Sequence, residues 1–151
     1  MLIFKKTDFV PDDLEAIFRD SMIQERYFAD SDKLHHSLET GAKNGELYLG
    51  VLDGMPVGAM RVDMRGFCGL YPYIKLLGVA PEYRSQGIGT FMLEKAEQMA
   101  RDSGAKKITL MVSDFNIRAQ KAYERRGYEL LGTIRNAVKD DIDELLMIKY
   151  L

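Results

Sequence analysis

Tyr73-Pro-Tyr-Ile-Lys-Leu-Leu-Gly-Val-Ala-Pro-Glu-Tyr-Arg-Ser-Gln-Gly-Ile-Gly-Thr90 reads as a strand that passes through two glycines into a helix. Tyr73 to Val79 is short, apolar and β-prone, and Ala80-Pro81 should end it. Proline cannot donate to a sheet ladder, and it pushes the residue before it out of the helical region. After Gly89 the apolar residues Phe91, Met92, Ala96, Met99 and Ala100 recur at helical spacing, with Glu94, Lys95, Glu97, Gln98 and Arg101 between them.

A helix start of this kind suits an anion. The first N–H groups of a helix have no partner within it and sit at the positive end of its dipole. Gly87 and Gly89 lack Cβ atoms, so a bulky anion can approach the backbone, and Arg84 adds a mobile positive charge. The ligand class is a phosphate or pyrophosphate. A nucleotide-triphosphate loop needs Gly-Lys-Ser/Thr, whereas Gly89-Thr90 has no lysine between. A dinucleotide fingerprint needs a third glycine near position 92, which is Met92. Glycines at such a turn can also be purely structural.

The stretch as a whole resembles the acyl-CoA-binding motif of the GNAT superfamily of N-acyltransferases, Val-x-Pro-x-x-Arg-x-x-Gly-x-Gly. Val79, Pro81, Arg84, Gly87 and Gly89 fall on it without a gap. A second segment, Asn116-Ile-Arg-Ala-Gln-Lys-Ala-Tyr-Glu-Arg-Arg-Gly-Tyr128, resembles the family's Asn-x-x-Ala-x-x-x-Tyr-x-x-x-Gly-aromatic pattern through Asn116, Ala119, Tyr123, Gly127 and Tyr128. Alone, that segment would read as an amphipathic helix with a glycine cap. Helical geometry places Asn116 and Tyr123 on one face, about 10 Å apart.

The resemblance implies transfer of an acetyl group from acetyl-CoA directly to a primary amine of a small molecule or peptide, with no protein nucleophile and no metal. The backbone of Leu77 and Val79 would hold the pantetheine arm like an added strand. Ser85, Gln86, Gly87, Ile88, Gly89 and Thr90 would hold the pyrophosphate, with Arg84 nearby. A backbone N–H near Val79 would stabilise the oxyanion. Asn116 would position the pantetheine. Tyr123 would be the catalytic group, donating to the departing thiolate by hydrogen bond or by full proton transfer. Where many family members carry a glutamate base, this chain has Lys75. Either Lys75 snorkels to solvent, or it faces an acceptor that also carries an anion while water does the base work. The alternative function is a non-catalytic acyl-CoA-binding or regulatory module on the same fold.

Composition agrees with a globular chain. It has 151 residues, 46% hydrophobic and 29% charged, with a net charge of −2, which suits one GNAT-like domain over residues 1–151. The charge balance carries no nucleic-acid footprint. No apolar run approaches the ~20 residues of a membrane span. The single cysteine, Cys68, fits a reducing, cytoplasmic setting and excludes an internal disulfide. With no histidine beside it in sequence, Cys68 reads as a passive loop thiol. A homodimer is compatible with these features.

The remaining elements follow from pattern. They are a strand at Leu2–Lys5, a helix from Asp12 to about Arg26, and a helix to Lys43 capped by Ser31 or Asp32. Tyr27-Phe28-Ala29-Asp30 between the helices is either a substrate lid or core packing. A hairpin turns at Asp53-Gly54 between Glu46–Leu52 and Pro56–Arg65, with a loop over Gly66–Pro72. A strand carries Ile108, Leu110 and Val112, a helix starts at Ser113 or Asp114, and strands cover Tyr128 to about Val138 and Glu144–Leu151. Asp140, Asp141 and Asp143 form an acidic turn, either solvated or attractive to a cationic amine. His35 and His36 diverge on a helix and cannot chelate one metal. The fold class is mixed α/β, GNAT-like, with a central mixed twisted sheet of six to seven strands and about four helices.

Overall fold

The computed structural model describes residues 1–28 and 30–151. Ala29 and the side chain of Ser31 lie outside the described residues, and with them the middle of the aromatic 27–30 connection and one of the two expected helix caps. Seven strands form one sheet: β1 (Leu2–Lys6), β2 (Leu47–Leu52), β3 (Met55–Phe67), β4 (Tyr71–Val79), β5 (Lys107–Ser113), β6 (Glu129–Ile134) and β7 (Glu144–Tyr150). Their order is β1-β2-β3-β4-β5-β7-β6; β4 and β5 pair in parallel, and the β1–β2, β2–β3, β5–β7 and β6–β7 pairs are antiparallel. The α-helices are α1 (Met22–Tyr27), α2 (Ser31–Lys43), α3 (Ile88–Asp102) and α4 (Ile117–Arg125). This is the mixed α/β architecture read from the sequence. The chain forms two compact units, residues 1–62 with 76–96, and residues 63–75 with 97–151.

In the first unit the core is built from one face of the sheet and the helical segments around it. Leu47, Leu49 and Val51 alternate inward along β2, and Leu14, Phe18 and Leu38 are buried with them. The Asp53-Gly54 hairpin has both residues at positive φ (47° and 87°), the backbone that a tight antiparallel turn requires. Arg61 on β3 is half-buried beside this core. It donates to Glu46 Oε2 at 2.6 Å and to Ser37 Oγ on α2 at 2.9 Å. Gly41 leaves room for it, since a Cβ there would lie 2.7 Å from Arg61 Nε.

In the second unit Ile108 and Leu110 on β5 and Met147 on β7 are almost fully enclosed. Strand β5 pairs with β7 along its whole length, from Lys107↔Tyr150 to Ser113↔Glu144. The parallel register of β4 with β5 covers two pairs, Tyr73↔Thr109 and Ile74↔Leu110.

Four expectations need correction. The single helix over 12–26 is a 3₁₀ turn at Leu14–Phe18 followed by α1. Asp20 between them adopts a left-handed φ of 54°, and Ser21 starts α1 afresh by accepting from Gln24 N–H at 3.0 Å. The cap of α2 is Asp30, which accepts from the Asp32 N–H at 2.9 Å. The loop over 66–72 is a tight turn at Cys68-Gly69, both at positive φ, so β3 and β4 are each longer than expected. Strand β6 stops at Ile134, where the chain enters a turn with Asn136 at φ 49°.

Strand β4 runs close to its neighbours at Gly78. A Cβ built there would lie 2.3 Å from Cε1 of Phe18, whose ring is 1% exposed and has no room to yield. Gly78→Ala should therefore lower unfolding stability by about 1–3 kcal/mol through overpacking. Denaturant titration checks this, and an unchanged midpoint would show that Phe18 can move aside.

Candidate functional site

The turn after β4 is stitched before the helix begins. Ala80 N–H donates to the Val57 carbonyl at 2.8 Å, and Pro81–Tyr83 makes one 3₁₀ turn closed by Tyr83 N–H on the Ala80 carbonyl at 2.9 Å. Gln86 Nε2 reaches back to the Glu82 carbonyl at 2.9 Å. Ser85 and Gly87 both sit at positive φ (63° and 83°), flanking Gln86. Helix α3 then starts, and its first intrahelical bond is Phe91 N–H to the Gly87 carbonyl at 2.9 Å. The N–H groups of Ile88, Gly89 and Thr90 precede that bond and have no partner within the helix. Buried Ile88 anchors the first turn, while Gly87 and Thr90 are exposed.

The two glycines leave the approach clear. A Cβ at Gly87 would meet nothing within 4 Å, and one at Gly89 would only touch Val79 Cγ2 at 3.7 Å. Neither glycine is demanded by crowding inside the protein. Gly87 is required by its φ, whereas Gly89 has a helical neighbourhood that would accept a small side chain. Absence of a Cβ at both positions leaves the backbone at this helix start open to a group as large as a pyrophosphate.

Arg84 differs from expectation. Its guanidinium is not mobile. Nε donates to the Val79 carbonyl at 2.9 Å, Nη1 to the Asp20 carbonyl at 3.0 Å and Nη2 to the Arg19 carbonyl at 2.6 Å. The fork thus ties the turn after β4 to the break between the 3₁₀ turn and α1, and it occupies the Val79 carbonyl. Leu77 and Val79 are half-buried at the end of β4, beyond its register with β5.

Leu77, Val79 and residues 84–90 belong to the first unit, and Asn116 and Tyr123 to the second. Asn116, not Ser113 or Asp114, starts α4, and it does so as the N-cap rather than as a residue on the helix face. Its Oδ1 accepts from Ala119 N–H at 3.2 Å, and its backbone is non-helical. That leaves the Nδ2 end of the amide for a ligand. Tyr123 lies in the last turn of α4. Its carbonyl accepts the N–H groups of Arg126 and Tyr128, each at 3.0 Å, as the chain reverses at Gly127 with φ 89°. The Tyr123 side chain is half-buried, and burial pushes its phenol up to about 12.

Lys75 is neither simply solvated nor an unopposed cation. Its Nζ lies 3.2 Å from Asp63 Oδ2, so a carboxylate of the protein meets its charge. Asp63 carries no signal in the sequence, because a loop over 66–72 hides the pairing that the tight turn at Cys68-Gly69 creates. Phe67 and Tyr71, whose rings stack at 6.4 Å, flank that turn. Asp63 and Lys75 lie four residues further out on each strand, so counting from the turn pairs them. Two further buried carboxylates carried no motif. Glu97 on α3 meets Lys149, Arg126 and Tyr128, and Glu144 accepts from Ser113 Oγ at 2.8 Å.

In the acidic turn, Asp143 Oδ1 accepts the Asn136 N–H at 3.1 Å, and Asn136 Oδ1 accepts the Asp141 N–H at 2.9 Å. Part of the cluster thus folds the turn itself. His35 bridges Glu15 and Glu39 on the surface, and the two carboxylates raise its pKa. Cys68 is exposed. Among the described residues no group of three or more His, Cys, Asp or Glu could hold a metal, and no helix is long and apolar enough to cross a membrane.

Residues 11–128 match the model of the acetyltransferase (GNAT) family. The chain belongs to that family. It is 33% identical over 123 residues to the protein YxbD of Bacillus subtilis (strain 168), an alignment covering 66% of this chain and 76% of that one. It is 40% identical over 55 residues to the thialysine N-epsilon-acetyltransferase of Bos taurus, covering 36% of this chain and only 32% of that enzyme. The fold superposes on a GNAT family acetyltransferase from Elizabethkingia anophelis with acetyl-CoA bound, at a TM-score of 0.75 and 20% identity, covering 99% and 98% of the two chains.

The fixed guanidinium of Arg84 predicts a measurable cost. Arg84→Met keeps the stem but releases three carbonyls, and should lower unfolding stability by about 1–3 kcal/mol. A melting temperature equal to that of the parent would show that the fork contributes nothing.

Proposed function

We propose that this chain is an acetyl-CoA-dependent N-acetyltransferase that moves the acetyl group directly to a primary amine of a small molecule or peptide. One observation carries the reading: two glycines, with open space where their Cβ atoms would be, precede or begin a helix whose first N–H groups are unpaired within it. That cradle occupies the acyl-CoA motif of a chain in the GNAT family. An amine acceptor accords with the bovine relative, named for acetylating an ε-amine.

In this reading residues 85–90 hold the pyrophosphate through backbone N–H groups, and Leu77 and Val79 line the pantetheine arm. Arg84 shapes the cradle by holding its approach, with its charge set behind the backbone instead of swinging onto the phosphates. Asn116 offers its amide Nδ2 to the arm. The deprotonated acceptor nitrogen bonds to the thioester carbonyl carbon, and the C–S bond breaks with its electron pair going to sulfur. The nitrogen's proton leaves to water, because Lys75 is a cation paired with Asp63 and is no base.

Tyr123 donates a hydrogen bond to the departing sulfur. A phenol near 12 is a much weaker acid than a thiol near ~8.5, so complete proton transfer to the thiolate is uphill. Donation without transfer is the role its environment favours, and the thiolate collects its proton from solvent. The second reading, a non-catalytic acyl-CoA-binding module, needs no buried phenol at position 123.

Gly89→Val tests the cradle. It should weaken acetyl-CoA binding by roughly 10-fold or more, the equivalent of losing about one charge-assisted hydrogen bond, while the melting temperature stays near that of the parent. Calorimetry showing equal affinity would overturn the assignment.

Tyr123→Phe tests the chemistry. It should lower kcat by roughly 10- to 1,000-fold at nearly constant acetyl-CoA affinity. The parent's rate should climb with pH as an acceptor ammonium of pKa ~10 deprotonates. No fall attributable to Tyr123 should appear until about 12, since the neutral phenol persists below that value. Parental kcat in the variant, under conditions where chemistry limits the rate, would exclude Tyr123. Acetyl-CoA binding with no turnover across an amine panel would favour the non-catalytic module.

A further inference from the structure

Glu97 is the one residue of α3 that puts a carboxylate inside the protein, with its side chain 3% exposed. Its three partners come from elsewhere in the second unit. Lys149 Nζ on β7 donates to Oε2 at 2.9 Å, and Arg126 Nη2 donates to the same oxygen at 3.3 Å. The Tyr128 hydroxyl donates to Oε1 at 3.3 Å. Arg126 and Tyr128 are the residues on either side of Gly127, where α4 ends and the chain reverses. Both also donate their backbone N–H to the carbonyl of Tyr123. The Tyr128 ring lies against the Tyr123 ring, with centroids 5.8 Å apart and planes tilted by 60°. Lys149 Nζ covers the Tyr128 ring at 5.8 Å.

A phenol that must meet a sulfur atom within a few tenths of an ångström needs more than a place on a helix. The last turn of a helix frays, because its carbonyls lack partners within it, and Tyr123 is in that turn. Two things hold it here: the reversal at Gly127 and the Tyr128 ring. Both are fastened to Glu97, the reversal through Arg126 and the ring through its hydroxyl. The two cations beside the buried carboxyl group compensate its burial, and its second oxygen is left to accept the Tyr128 O–H.

Building on the role assigned to Tyr123, we infer that Glu97 is a positioning residue for the acetyl-transfer step, holding Tyr123 in register through the hydroxyl and ring of Tyr128. It touches neither acetyl-CoA nor acceptor in this scheme. Its contribution should therefore show in kcat and be absent from the KM for acetyl-CoA.

Tyr128→Phe is the cleanest test, because it removes the hydroxyl and keeps the ring. Glu97→Gln is the companion variant. If it fails to fold, with two cations left unopposed, Tyr128→Phe still carries the test. Each variant is made in the parent and in a Tyr123→Phe background, and kcat and KM are measured for all. Tyr128→Phe should lower kcat roughly 3- to 10-fold in the parent, as misplacement of a reacting group does. KM for acetyl-CoA should stay within about twofold. In the Tyr123→Phe background the same change should cost nothing further, because the group being positioned is gone. An equal loss in both backgrounds would overturn the inference and make the network structural only. So would an unchanged kcat in Tyr128→Phe while Tyr123→Phe alone is slow, an outcome that leaves the role of Tyr123 standing. Parental kcat in Tyr123→Phe would overturn both.

Discussion

The three hydrogen bonds of Arg84 are the constraint on which the turn between β4 and α3 is built. A guanidinium presents rigid, coplanar donors, and here they meet carbonyls from two segments far apart in the chain, Val79 in one and Arg19 with Asp20 in the other. The carbonyls of Arg19 and Asp20 can serve only because the chain leaves the helical path there. The break in the 12–26 segment and the fixed turn after β4 are therefore two sides of one interaction. A lysine would bring the same charge but could not span three acceptors in this geometry.

With that cation committed to carbonyls, the backbone N–H groups at the start of α3 are what this turn itself offers an anion. The chain supplies them by placing Ser85 and Gly87 at positive φ on either side of Gln86, then opening α3. Such N–H groups are already ordered by the fold, so a ligand does not have to immobilise long side chains to meet them. In the proposed function this is why a cradle with little side-chain chemistry of its own suffices for a highly charged cosubstrate.

Each compact unit also contains a buried carboxylate held by basic side chains, Glu46 with Arg61 in the first and Glu97 with Lys149 and Arg126 in the second. Buried pairs of this kind contribute little net stability, since desolvation offsets most of the attraction, yet removing one partner is costly. Their effect is to specify. Glu46 and Arg61 set how α2 lies on its sheet, with Gly41 giving the close approach. Glu97 ties α3 to Arg126 and Tyr128, the residues on either side of the reversal that ends α4.

The sequence by itself determined the class of fold, the strand–turn–helix around Val79 to Thr90, the Asp53-Gly54 hairpin and the family. These are local matters, written in periodicity of 2 or 3.6, in proline and glycine punctuation, and in two motifs at fixed spacing. Tertiary structure alone decided what the polar groups of those motifs do. Arg84 reads as a loose cation until the carbonyls of Arg19 and Asp20 stand beside it, and Asn116 reads as a facial residue until its amide is seen capping α4. Lys75 looks unopposed until the turn at Cys68-Gly69 brings Asp63 against it. Glu97 looks like one more solvent-facing position between Ala96 and Gln98. For Arg84, Lys75 and Glu97 the decisive partner is contributed by another segment of the chain, and a charge acquires its meaning only from what the fold sets within a few ångströms of it.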